Sequence, residues 1–155
     1  MHRISAGVIP FRVNPTTNEI EFFVGHPGGK YWLYKDFWMF LKGHIDDGDD
    51  SELDTAIREF EEESGLHIDE EKRKSMKFLG RTVQNPTKTV VAFSVHYPDI
   101  DPDKCHSNLA DDGVTPEIDK YRWISFDVLK NITHPTHLMF YDQICNNLDY
   151  YLDND

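Results

Sequence analysis

Arg58, Glu59, Glu62 and Glu63 lie inside a segment whose apolar residues repeat with a helical period. Leu53, Ala56, Ile57 and Phe60 stand at i, i+3, i+4 and i+7, the stripe of an amphipathic helix. At about 100° per residue, Glu59, Glu62 and Glu63 fall within about 100° of one another, on a face about 110° round from that stripe. Such a helix buries one face while another aims three carboxylates at a common point. Like charges held that close repel and raise each other's pKa values unless a cation joins them. Hard oxygen ligands of this kind suit Mg²⁺ or Mn²⁺. Arg58 precedes Glu62 by one helical turn and can orient that carboxylate. Upstream, Gly43 opens an acidic loop that runs to Asp50, lets backbone approach closely and can offer its carbonyl to a metal. A Glu-rich helix alone is commonly a solvated face. The glycine loop feeding it favours the chemical reading.

The elements that must hold these residues are legible in outline. Ser51 can cap the helix start, with Asp54 three residues on, and Gly65 suits the left-handed position past its end. Before the helix, Ile4 to Val13 reads as a strand, with Pro10 suggesting an edge or bulge. The turn cluster Asn14 to Asn18 then leads to a second strand at Ile20 to Val24, so a hairpin is expected. His26-Pro27-Gly28-Gly29 ends that strand and opens a loop carrying Tyr31, Trp32, Tyr34 and Phe37. Trp38 to Leu41 is a short apolar run leading into Gly43. After the helix, Asp69 to Lys74 reads as a charged linker, Met76 to Val83 and Thr87 to Tyr97 as strands, and Asp99 to Gly113 as a long loop. Tyr121 to Phe126 makes another strand. Leu138 to Leu152 forms a closing helix with Met139, Tyr141, Ile144, Leu148 and Tyr151 on its apolar side. This order predicts an α/β fold, a mixed sheet with helices packed on it, as one domain over residues 1–155.

The bulk numbers narrow the function classes. A 155-residue chain that is 39% hydrophobic supports a real core. Its net charge of −12 argues against broad binding to nucleic-acid backbones, though metal can still mediate between acidic side chains and a small nucleotide. Cys105 and Cys145 read as two reduced thiols. The N-terminus carries no signal-peptide pattern and no stretch is apolar enough to span a membrane, so a cytoplasmic location is expected. Oligomeric state stays open, a homodimer being one of the choices.

The diagnostic stretch runs from Gly43 to Leu66. It resembles the Nudix box, Gly-x5-Glu-x7-Arg-Glu-apolar-x-Glu-Glu-x-Gly-apolar. Arg58, Glu59, Phe60, Glu62, Glu63, Gly65 and Leu66 match its second half and Gly43 its first residue. Asp49 stands where the pattern has Glu, and eight residues rather than seven separate it from Arg58. The extra residue can be absorbed among Asp50 to Leu53, and the role of Asp49 can be confined to bracing the loop. Lys42-Gly43-His44-Ile45 is similar to the Lys-Gly-His-Val of diadenosine tetraphosphate hydrolases. Glu117 to Ile124 resembles the Glu-x3-Tyr-Arg-Trp-apolar stretch of the dinucleoside polyphosphate hydrolases, where a glutamate lies near the metals.

The resemblance implies a Nudix-type α/β/α sandwich that hydrolyses a phosphoanhydride in a nucleoside diphosphate linked to another group. Gly43, Glu59, Glu62 and Glu63 would hold Mg²⁺ or Mn²⁺, with Arg58 supporting, and Glu59 or Glu117 would take the proton of the attacking water. Glu117 also reads as an ordinary surface residue at a strand start. Lys42 and Lys88 are the basic residues best placed for outer phosphates. Trp32, Tyr34 and Tyr121 are candidates for base stacking, whereas Trp38, Trp123 and Phe93 read as core. A dinucleoside polyphosphate leads as the substrate. ADP-ribose, NADH, capped RNA and modified nucleoside triphosphates stay open, as does a noncatalytic binding module.

Overall fold

The computed structural model of the protein describes residues 2–152. Its sheet is built from β1 (Arg3–Val13), β2 (Ile20–Pro27), β3 (Leu41–His44), β4 (Lys77–Asn85), β5 (Lys88–His96) and β6 (Ile118–Ser125). The strand order is β4-β5-β1-β2-β6, with β3 paired to β1. The pairing of β1 with β5 is parallel and the others are antiparallel, so the sheet is mixed as expected. The expected hairpin joins β1 to β2.

One edge of β1 is paired with β5 from Arg3 to Phe11. Its other edge is shared, with β3 along Ser5 to Val8 and β2 along Phe11 to Val13. Pro10 therefore corrects the edge-or-bulge expectation. It lies in the central strand, at the step where one partner ends and the next begins, where a missing N–H costs the sheet little on that side.

Side chains alternate across the sheet with the period of two that pleating demands. Ile9, Phe11, Phe22, Val24, Val90 and Ala92 face one core, closed by α4 (Leu138–Asn146) and α5 (Leu148–Leu152) through Phe140, Tyr141, Ile144 and Tyr151. Ala6, Val8, Phe23, Val91 and Val95 face the other, closed by Ala56, Ile57 and Phe60 of α1 (Glu52–Ser64). The result is the three-layer α/β/α sandwich.

Three further expectations change. The charged linker after α1 forms the short helix α2 (Glu70–Ser75), because Asp69 accepts the Lys72 N–H at its start and the acidic-then-basic order suits the helix dipole. The closing helix breaks at Asn147, whose φ of −137° and ψ of 40° are not helical, and Met139 faces solvent. The stretch from Asp99 to Gly113 contains a 3-10 turn at Pro102–Lys104 and leads into a bridge between Leu109 and Pro116. The short helix α3 (Phe126–Leu129) follows β6. No helix among the described residues is long and apolar enough to cross a membrane.

Candidate active site

Helix α1 starts and stops where its sequence says. Ser51 Oγ accepts the Asp54 N–H at 3.1 Å, and Gly65 takes the left-handed conformation with φ of 75°. Its apolar stripe docks on the sheet and so fixes the rotation of the helix. That rotation turns Glu59 and Glu63 toward β3, which brings Lys42 and Gly43 from the sheet edge. Glu63 is 6% exposed, well inside the protein rather than on a solvated face.

Arg58 organises the loop side. Its Nε and one terminal nitrogen donate to the two oxygens of Asp49, each at 2.9 Å, a bidentate charge-assisted pair. The other terminal nitrogen donates to Glu59 at 2.9 Å and to Glu62 at 3.2 Å, and the His44 carbonyl accepts a further bond at 3.1 Å. Asp49 also accepts from the Thr55 hydroxyl at 2.8 Å and from the Asp46 N–H at 2.9 Å. These bonds hold its carboxyl well below the usual carboxylate range, the Arg58 bonds contributing most. The eight-residue spacing to Arg58 thus leaves the pair intact, and Asp49 braces the loop.

Gly43 is cradled by carboxylate. A Cβ placed there would lie no more than 2.5 Å from the carboxyl carbon and both oxygens of Glu59. Burial pushes the Glu63 carboxyl up to about 10, helped by its hydrogen bond to Glu59 and that residue's charge, with Lys42 pulling the other way. Two carboxyls held together against the bare backbone of Gly43 form a donor set that fits a hard divalent cation. Among the described residues, no three His, Cys, Asp or Glu side chains stand ready-made in ligating geometry. Glu62 leans instead on Arg58.

The opposite wall is basic. Burial, then the charge and side chain of Lys88, lower Lys42 to about 7 against the pull of Glu63 and Glu59. His44 Nδ1 meets the Ser5 hydroxyl at 3.0 Å, and burial with Lys88, Arg3 and Lys42 lowers its pKa. Glu117 faces the helix carboxylates, its pKa raised by burial first and then by Glu59, Asp111 and Asp112. Together these residues line a cleft of about 390 Å³, acidic on the α1 wall and basic on the β3 and β5 wall. A hollow of about 430 Å³ between α2 and the end of β5 is slightly larger, but it gathers no carboxylate pair beside a metal-accessible backbone.

The cleft brings together Lys42, Gly43, Glu59, Glu62, Glu63, Lys88 and Glu117 from the sequence candidates. Arg58 sits behind the carboxylates and holds them. Trp32 and Tyr34 do not line it: Trp32 stacks on Phe37 at 5.0 Å, and Tyr34 is 94% exposed. Tyr121 lies beneath α1, its ring parallel to Phe23 at 5.8 Å and its hydroxyl donating to the Glu63 carbonyl at 2.5 Å. Ser5, Asp46 and Asn108 also line the cleft and were missed, because sheet pairing and loop path bring them there and no motif marks them. His26, at the end of β2, is a buried link rather than part of the cleft. Its Nδ1 meets Asp119 and its Nε2 the Lys35 carbonyl, both at 2.7 Å, tying the aromatic loop to β6.

The fold, with a cleft of this kind beside α1, places the chain in a known class, as comparison with other proteins shows. The NUDIX domain model matches residues 1–144. The chain belongs to the NUDIX domain family. Among solved structures, it is similar to a Caenorhabditis elegans Ap4A hydrolase binary complex, with 18% identity and a TM-score of 0.64 over 94% of this chain and 98% of that one. It is also similar to the NUDIX domain of Shewanella oneidensis NrtR complexed with ADP ribose, with 12% identity and a TM-score of 0.68 over 96% and 89%. A MutT/nudix family protein from Enterococcus faecalis aligns at 14% identity and a TM-score of 0.59 over 81% of this chain, which spans only 44% of that protein. At these identities the likeness is one of fold. No curated protein matches the sequence.

Proposed function

We propose that the protein hydrolyses a phosphoanhydride bond in a nucleoside diphosphate linked to another group, with Mg²⁺ or Mn²⁺ held by Gly43, Glu59, Glu62 and Glu63. The observation that carries this reading is the Glu59–Glu63 pair, Glu63 buried and Glu59 packed against the bare backbone of Gly43. Bound metal would supply neutralisation of the phosphate charge and a bound water of lowered pKa. The chain's own residues do the rest. Arg58 fixes the orientation of Glu59 and Glu62, and Lys42 and Lys88 meet the outer phosphates from the opposite wall. Glu59 or Glu117 accepts the proton of the attacking water. In-line attack at phosphorus then proceeds between an acidic and a basic wall, with stabilisation that is mostly electrostatic.

A dinucleoside polyphosphate is the leading substrate, on Lys42-Gly43-His44-Ile45, the stretch from Glu117 to Ile124 and the fold shared with the Ap4A hydrolase. ADP-ribose is the second reading, favoured by the ligand of the NrtR domain. A panel of both, with NADH, capped RNA and modified nucleoside triphosphates, scored by which phosphates leave, separates them. Glu62→Gln and Glu63→Gln should each lose most metal-dependent turnover. Full activity in both variants removes the mechanism, and no hydrolysis across the panel favours a binding module.

A further inference from the structure

The last turn of α1 poses an accounting problem. A helix leaves its final four carbonyls without intrahelical partners, and terminal turns fray. Here that turn carries Glu62 and Glu63, two of the three helix carboxylates, so a frayed end would scatter the site. Each orphan carbonyl is met. Glu61 accepts from the Gly65 N–H at 2.9 Å, Glu62 from the Asn108 N–H at 2.9 Å, and Ser64 from the His106 N–H at 3.0 Å. Glu63 accepts from the Tyr121 hydroxyl at 2.5 Å. Three of these four donors come from residues more than 40 positions away in sequence. His106 also covers Gly65 so closely that a Cβ there would lie within 2.8 Å of three ring atoms. Asn108 then returns the contact across the cleft, its carbonyl accepting the Glu117 N–H at 3.0 Å.

We propose that residues 106–108 and the Tyr121 hydroxyl form a clamp on the end of α1, which fixes Glu62 and Glu63 and sets Glu117 at a defined reach across the cleft, with Tyr121 as a positioning residue. One residue, Asn108, joins the backbone of Glu62 to that of Glu117, so the helix end and the facing carboxylate move as a unit. The segment that sequence reading left as a plain loop is thereby part of the site's framework. The ring of Tyr121 lies against Phe23 in the core and its hydroxyl is committed to the helix. Stacking on a base is a different role, and phenylalanine would preserve it.

This proposal rests on the hydrolase reading, and Tyr121→Phe in the full chain separates the two. Mn²⁺ affinity by electron paramagnetic resonance of the free ion, amide exchange at His106 and Asn108, and hydrolysis kinetics are measured on wild type and variant. Loss of one hydrogen bond should weaken Mn²⁺ binding about three- to tenfold and lower kcat by a similar factor, with KM nearly unchanged. Exchange at His106 and Asn108 should quicken while cooperative unfolding is retained. Unchanged Mn²⁺ affinity and unchanged exchange overturn the clamp, and activity retained by phenylalanine assigns Tyr121 to stacking. If wild type hydrolyses no nucleotide, the hydrolase reading falls. The exchange result then decides the clamp alone: protection lost in the variant supports it, and protection kept overturns it.

Discussion

Asp49→Ala removes a carboxylate whose side chain is 8% exposed from an arginine that is 27% exposed. Four hydrogen bonds go with it, two from Arg58, one from the Thr55 hydroxyl and one from the Asp46 N–H. Breaking a fully buried ion pair from one side costs about 3–5 kcal/mol, because the remaining charge is stranded. Arg58 keeps Glu59 and Glu62 as partners and some access to water. The expected loss is therefore smaller, about 2–3 kcal/mol. With a urea slope of about 1–3 kcal/mol per molar, the unfolding midpoint should fall by roughly 0.7–3 M at neutral pH. The pH dependence follows from the same contacts. Because the folded state holds the Asp49 carboxyl below its unfolded value, its contribution is present above about pH 4 and is lost as pH falls through the folded pKa. Wild type and variant should converge in strong acid. Hydrolysis should fall too, since Arg58 freed from Asp49 no longer presents Glu59 and Glu62 correctly. A variant within about 0.5 kcal/mol of wild type at pH 7, the range typical of ordinary surface substitutions, would refute the bracing role.

Gly43→Ala forces a methyl group into the Glu59 carboxylate, so unfolding should cost about 1–3 kcal/mol less and metal-dependent turnover should collapse, measured by urea titration and phosphate release. Burial, then Lys42, His134 and Lys88, hold the His137 imidazole down at about 2. The unfolded chain therefore binds more protons between about pH 2 and 6.5, and stability is lost as pH falls below about 6.5. His137→Met should flatten that part of the acid limb, by up to about 1.4 kcal/mol per pH unit, in urea unfolding repeated from pH 4 to 7. An unchanged acid limb would show that His137 is not the group responsible.

Helix α1 was legible because its three demands coincide in a short stretch. An apolar stripe, a capping serine and a terminal glycine each act locally, and Glu59, Glu62 and Glu63 follow from the same period. The sheet order was not legible. That β3 pairs with the first half of β1 while β2 takes the second is a long-range choice, and it is what brings Lys42 and Ser5 into one cleft. Glu117 was named from a family stretch, yet the contact that positions it runs through Asn108, a residue with no signature of its own. The break at Asn147 was hidden because apolar spacing continues through it.

The Asp49–Arg58 tie closes the chain from Asp49 to Arg58 into a ring fastened at both ends, and that ring has a consequence for length. Most of that ring is helix, since α1 begins at Glu52, so its length can change only around Asp50 and Ser51. A residue added or removed there has to keep the Ser51 cap on Asp54 and the Thr55 bond to Asp49 as well as the arginine pair. Length in this part of the fold is therefore tied to the carboxylates, because a change that parted Asp49 from Arg58 would also release the hold of Arg58 on Glu59 and Glu62.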